Sequence, residues 1–400
     1  MTCKFQLLTI SFPSTANGLI VYNDKSDKFF SQLMGDILFV NFSQGDDMRQ
    51  VKLTPDGKGV VGNEAKELVQ NFNDPLCIAQ DEHGTIFVGE FNSFQVTILE
   101  PLPLSEEPEG TWSPRKPSIT AVTNGATATL NDVLYVFGGT TFSGPTLNSY
   151  RYNPFQDEWS EIAKLPFTIS VENAAAVPYE GKVYVFGGSA VSFAAQDNAA
   201  FYDPESDSWT LVEPMPTARG GAMAEVLGDN IYVIGGINSN GASLTTVEVF
   251  QPKNDSWSNP ATPLQTPRAN SGSAVFSEKI YIIGGRTREA NGTEITLATV
   301  EVFDPQSPAD EAWSNAAEMS IARQSMTVGH VSGRLQVVGG ELPTVSTHEE
   351  YDPEKNTWRN LSDPIVARRG AAGGTIRGKV YVACGENGTS ITDKVEVFGY

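Results

Sequence analysis

One motif constrains this chain more than any other: a short, aromatic β-run that ends on two glycines and keeps returning. It reads NDVLYVFGG at 131–139, GKVYVFGG at 181–188, DNIYVIGG at 229–236, EKIYIIGG at 278–285, GRLQVVGG at 333–340 and GKVYVACG at 378–385. Tyr135, Tyr184, Tyr232, Tyr281 and Tyr381 mark the register, with Gln336 in the aromatic slot of the fifth copy, at intervals of 49, 48, 49, 55 and 45 residues. Trp159, Trp209, Trp257, Trp313 and Trp358 follow the glycine pairs by 20, 21, 21, 28 and 18 residues. Short strands repeating with this period imply a propeller or an array of repeats.

Each unit reads as four strands. A run of small residues such as 221–227 comes first, then the strand ending in Gly-Gly. The third is Val-Glu-Val-Phe at 247–250, echoed at 300–303 and 395–398, and the fourth carries the tryptophan. Asx-Pro or Gln-Pro steps at Asn153, Asp203, Gln251, Asp304 and Asp352 punctuate the passage from third to fourth strand. Aromatic and β-branched residues suit half-buried pleated positions, and paired glycines suit a close backbone approach or a positive φ. Trp112 stands where an outer strand would precede its own unit, and the chain stops at Tyr400 before a last tryptophan strand. The two half-units complement each other, as they do where a ring of blades hides its seam.

The order of Arg, Tyr, Gly-Gly, Val-Glu-Val-Phe, Asp-Pro and Trp resembles the kelch motif over residues 110–400, in six copies. Cys384 for a glycine, Gln336 for the aromatic and the missing arginine of copies one and two are its departures. Residues 1–100 lack both glycine pair and tryptophan, yet alternate like strands at 18–22, 35–42, 48–54, 75–79, 84–88 and 95–99. The phrases PLCIAQDEHGTIFVGEF and GDILFVNF…MRQVKLTPDG resemble blades of soluble sugar dehydrogenases and NHL-type propellers; no catalytic residue carries over. PLPLSEEPEG at 101–110 reads as a boundary. The expectation is an all-β chain: a six-bladed kelch β-propeller at 105–400, preceded at 1–104 by an N-terminal segment of about two further blade-like sheets. The alternative is one eight-bladed propeller in which residues 5–10 close the seam.

A net charge of -21 and a pI near 4.5 disfavour nucleic acid and anionic membrane as partners. No apolar run is long enough for a membrane span. Cys3, Cys77 and Cys384 set up no disulfide framework, and the start is a poor secretory signal; both favour a cytoplasmic location. GxSxG, HExxH, CxxC and Walker patterns are absent, so no catalytic residue, metal site or cofactor is assigned. His83, His330 and His348 have no partner at metal-ligand spacing, and His348-Glu349-Glu350 falls on a strand position. Asp46-Asp47 lacks the spaced oxygens of a calcium loop and reads as a solvated turn. Recurring Glu248, Glu301 and Glu396 point to a shared structural hydrogen bond.

Arg219, Arg268, Arg323 and Arg368 stand at the entry to the innermost strand of four successive units. Loops joining strand four to one and strand two to three emerge on one face, so the four form an arc at one channel mouth. The kelch resemblance implies that such arginines grip acidic segments of a partner, for which guanidinium forks are suited. The competing reading, given more weight, packs each arginine within its repeat against backbone carbonyls. Loops 140–148, 189–198, 237–243 and 286–296 complete the rim. The favoured function is a non-catalytic module binding a protein or a small polar or acidic ligand on this face. The alternative is a carbohydrate-active enzyme, since sugar oxidases and sialic-acid epimerases share such a ring.

Overall fold

A computed structural model describes residues 110–399, except 191–193, 289–291 and 342–345, together with the backbone of seven strands between Ala16 and Leu99. The N-terminal start with residues 5–10, Asp46, Asp47, His83 and the stretch 101–109 lie outside the described residues. The chain divides into two compact units, Met1–Glu107 with Val331–Gly333, and Pro108–His330 with Arg334–Tyr400. In the first, Ala16–Val21, Ile37–Asn41, Met48–Val51 and Lys66–Val69 form a four-stranded antiparallel sheet. Pro75–Gln80, Ile86–Glu90 and Gln95–Leu99 form a three-stranded one. Lys66–Val69 is the strand that sequence reasoning missed, because Lys-Glu-Leu-Val has no alternation to read.

The second unit is a β-propeller of six four-stranded antiparallel blades. Blade three shows the plan: Met223–Leu227 lines the centre, followed outward by Asn230–Ile234, Val247–Gln251 and Ser256–Ala261. Blade six takes three strands from the C-terminus, and Thr111–Arg115 completes it with Trp112 opposite Phe398. Aromatic and branched side chains fill the space between blades. Phe186 of blade two meets Phe250 and Trp257 of blade three, each with ring centroids 5.7 Å apart. Burying one such ring contributes about 1.5–3 kcal/mol.

Two circles of hydrogen bonds close the ring at six blades. The residues entering the six innermost strands, Asn124, Asn173, Gly221, Asn270, Ser325 and Gly370, all have left-handed backbones, with φ between 52° and 64°. The N–H of each donates to the carbonyl of the one before it, and Asn124 donates to Gly370, at 2.7–2.8 Å throughout. A second circle runs from the later glycine of each pair to the next blade: Gly188 to the Arg219 carbonyl, Gly236 to Arg268, and finally Gly385 to Val122. No further sheet is inserted between these blades, so the eight-bladed alternative falls. A Cβ on Gly187 (φ 65°) would stand 2.3 Å from the Arg219 carbonyl, which is why a glycine pair recurs at this approach.

The tryptophan landmark has an equally local cause. Trp257 Nε1 donates to the Glu213 carbonyl of the preceding blade at 2.9 Å, while the Glu213 N–H donates to Asp255 Oδ1 at 2.9 Å. The same two-point clasp joins Trp209 and Asp207 to Ala163, Trp159 and Asp157 to Lys116, and Trp358 and Asn356 to Ala317. Trp112 keeps the indole half of it at the seam, donating to Ser362 O at 2.8 Å.

Candidate functional site

The loop leading from the outer strand of one blade to the inner strand of the next runs inward over the third strand. In four blades it delivers an arginine there. Arg219, Arg268 and Arg323 are 0% exposed and Arg368 is 1% exposed. Arg219 Nη2 lies 2.9 Å from Glu248 Oε1 and Arg368 Nη2 lies 3.0 Å from Glu396 Oε1; Arg268 pairs with Glu301, and Arg323 with Glu349. Arg219 Nη1 also donates to the carbonyls of Gly235 and Thr246, at 3.0 and 3.2 Å. Equivalent bonds run from Arg268 to Gly284 and Thr299, from Arg323 to Gly339 and Thr347, and from Arg368 to Cys384 and Lys394. The carboxylate in turn accepts the loop's own backbone, as Glu301 does from Gln265 and Thr266.

The four arginines are therefore brought into equivalent places round the mouth, but beneath its surface. Burial pulls their proton affinity below the guanidinium norm, to about 10 for Arg323, while the carboxylates of Glu248, Glu301 and Glu396 push back for their partners. All stay charged at neutral pH, and each charge is consumed by its own blade. Gripping an acidic ligand needs an exposed guanidinium, and in this structure all four are buried and paired.

The surface of the mouth is built by other residues. The position after each arginine, or its counterpart, pairs with the residue after the glycine pair: Thr123 with Thr140, Glu172 with Ser189, Gln324 with Glu341, Arg369 with Glu386. Arg369 Nη2 lies 2.9 Å from Glu386, and Nη1 contacts Glu341 of the preceding blade. Thr140 Oγ1 donates to Glu172, and Arg286 Nη1 pairs with Glu294 at 2.6 Å. Ile119, Phe142, Ile169, Ile295 and Ile365 are exposed in the loops of this face. Sequence reasoning found the loops and missed these residues, whose signal was bulky apolar side chains in turn-rich segments.

Below the mouth, small side chains of the innermost strands leave a channel of about 250 Å³ lined by Ala176, Glu225, Ser273 and Thr327 among others. Desolvation pushes the half-buried Glu225 carboxyl up to about 7, against a hydrogen bond from Ser273. His348 lies in its strand, with Nε2 3.1 Å from Gln336 Oε1 and its ring 4.5 Å from Phe398. Burial pulls it down to about 3. Among the described residues, no group of three or more His, Cys, Asp or Glu is placed to hold a metal ion, and no helix is long and apolar enough to cross a membrane.

A closed ring of four-stranded blades, sealed by a strand from near the start of the ring, defines a β-propeller of the repeat type. The family model of the KLHDC2/KLHL20/DRC7 kelch-repeats domain matches residues 124–340, and the chain belongs to the kelch-repeat family. It is 30% identical over 268 residues to Kelch-like protein terF of Aspergillus terreus, covering 60% of this chain and 56% of that protein. It is 30% identical to Kelch-like protein 35 of Mus musculus over 44% of this chain and 29% of the relative. Against Kelch-like protein 36 of Bos taurus the figures are 33% identity, 52% and 34%. The chain thus spans between about a third and just over half of the length of these relatives. The solved structure titled "Structure of YjhT" shares the fold, at TM-score 0.59 and 16% identity, over 70% of this chain and 95% of that one. The fold and these relatives together make the second unit a kelch-repeat propeller.

Proposed function

We propose that the loop-rich face around the channel mouth binds a partner protein without catalysis. The observation that carries this reading is the placement of Ile119, Phe142, Ile169, Ile295 and Ile365, five of the seven large apolar side chains exposed among the described residues, Phe155 and Leu211 being the others. Arg219, Arg268, Arg323 and Arg368 serve the face from behind, by holding its loops at a fixed height over the third strands. Residues 105–400 are the working module, and residues 1–104 a separate blade-like segment; limited proteolysis of the whole chain checks this by the start of the resistant fragment.

The test of the binding face is a comparison of captured partners. The whole chain should retain a set of proteins that Phe155→Ser, on the opposite face, retains equally and Phe142→Ser loses. Partners lost with Phe155→Ser and kept with Phe142→Ser would overturn the reading.

A further inference from the structure

The mouth is not uniform, and its asymmetry indicates what it takes. Four of the five exposed apolar side chains of this face cluster on neighbouring blades, Ile295 of blade four standing apart: Ile365 enters blade six, Ile119 enters blade one, Phe142 tips the hairpin of blade one, and Ile169 enters blade two. They are 62%, 55%, 73% and 47% exposed. Between the segment at Thr120 and the hairpin carrying Phe142 lies a groove of about 480 Å³. The inner rim of the same sector holds three carboxylates, Glu341 of blade five, Glu386 of blade six and Glu172 of blade two, against the single guanidinium of Arg369. The exposed Asp363 lies two residues from Ile365. The buried arginines add nothing to this balance, since each is neutralised by its own glutamate.

We propose that this sector, from blade five round to blade two, docks a peptide segment of a partner protein that combines lysine or arginine with bulky apolar side chains. The inference rests on the loop-face reading and adds the sign of the charge to it. Apolar anchors seated on Phe142 and the isoleucines would exclude water from the rim, and the surplus carboxylates would then meet cationic groups at reduced screening. The chain's net charge of -21 steers the same class of partner toward it.

The test uses the whole chain and two fluorescein-labelled peptides of equal length, one alternating lysine with leucine and one with glutamate in place of lysine. Fluorescence anisotropy at near-physiological salt should show binding of the lysine peptide alone. Phe142→Ser with Ile365→Ser should weaken it about tenfold or more, as loss of buried anchors does. Glu341→Gln with Glu386→Gln should weaken it and flatten its salt dependence, and Phe155→Ser should leave it unchanged. Circular dichroism checks the fold; should a double variant misfold, the highly exposed Phe142→Ser alone carries the comparison. Lysine-peptide binding indifferent to all the mouth variants is general attraction to an acidic protein and overturns the proposal. Binding of the glutamate peptide that Phe142→Ser abolishes refutes the charge while leaving the loop-face reading standing. Loss of either peptide only with Phe155→Ser sinks both. A dimer in sedimentation that Phe142→Ser dissolves assigns the surface to a second copy instead, and equally overturns the proposal.

Discussion

The pairing of Arg219 with Glu248 can be measured by a double-mutant cycle whose end point already exists inside the molecule. In blade two the equivalent positions are Val171 and Ala200, so the ring tolerates the absence of both partners. Arg219→Val alone leaves the Glu248 carboxylate buried without its cation, and takes a donor from the carbonyls of Gly235 and Thr246. Breaking a buried pair in this way costs about 3–5 kcal/mol. Glu248→Ala alone strands a guanidinium that is 0% exposed, at similar cost. Arg219→Val with Glu248→Ala removes both charges and leaves a cavity and two carbonyls, so it should cost roughly as much as one single variant, giving a coupling equal to one single's cost, about 3–5 kcal/mol. Denaturant unfolding followed by tryptophan fluorescence reads all four corners. Additive single effects would refute the claim that the two side chains form one unit.

Other outcomes follow from the same geometry. Trp257→Phe keeps a ring between blades two and three but deletes the bond to the Glu213 carbonyl, and should lower stability in the same assay by about 1 kcal/mol. His348 is held neutral by burial, near 3 against an ordinary 6.5, so the unfolded chain takes up its proton first. Its contribution is complete above about pH 6.5 and lost as pH falls toward 3, with a slope of at most about 1.4 kcal/mol per pH unit that His348→Gln should remove from a pH series of unfolding curves. Glu225 behaves in the opposite sense: its folded carboxyl sits near 7 against 4.5, so folding loses stability as pH rises through that interval. Glu225→Gln should therefore stabilise the protein at pH 8 by on the order of 1–3 kcal/mol and leave it little changed at pH 4.5. A gain independent of pH would refute the titration.

Much of the fold was legible because its determinants are local. The tyrosine strand, the glycine pair and the indole recur within one blade's length, and the half-units at Trp112 and Phe398 betray the seam; the structure pairs them directly. The arginine pocket was half legible. Copies with the arginine carry Glu248, Glu301, Glu349 or Glu396 in the third strand, while copies one and two have Val122 with Tyr150 and Val171 with Ala200. Arginine and glutamate are gained or lost together, and that correlation names a pair. It was read as two separate features because the partners lie 26 to 33 residues apart and meet only when the loop folds back over the strand. The circle of left-handed residues leaves almost no trace. Asn, Ser and Gly all accept that backbone, so six positions held by three different residue types do one job.

The division between what repeats and what does not also separates framework from recognition. A residue that recurs from blade to blade answers a requirement posed by the repeat itself: the glycine pair admits the next backbone, the indole holds the blade before, and in four of the six blades the buried arginine ties loop to strand. Such positions are spent on closing the ring, and their symmetry cannot distinguish one partner from another. Specific binding needs features that break the symmetry. Phe142 on its hairpin and Arg369 between Glu341 and Glu386 each occur once, and both lie on the mouth face. The periodic arginines of the sequence motif are accordingly internal. A motif found by its periodicity is selected for sameness, whereas the surface that chooses a partner must be sought among the departures from it.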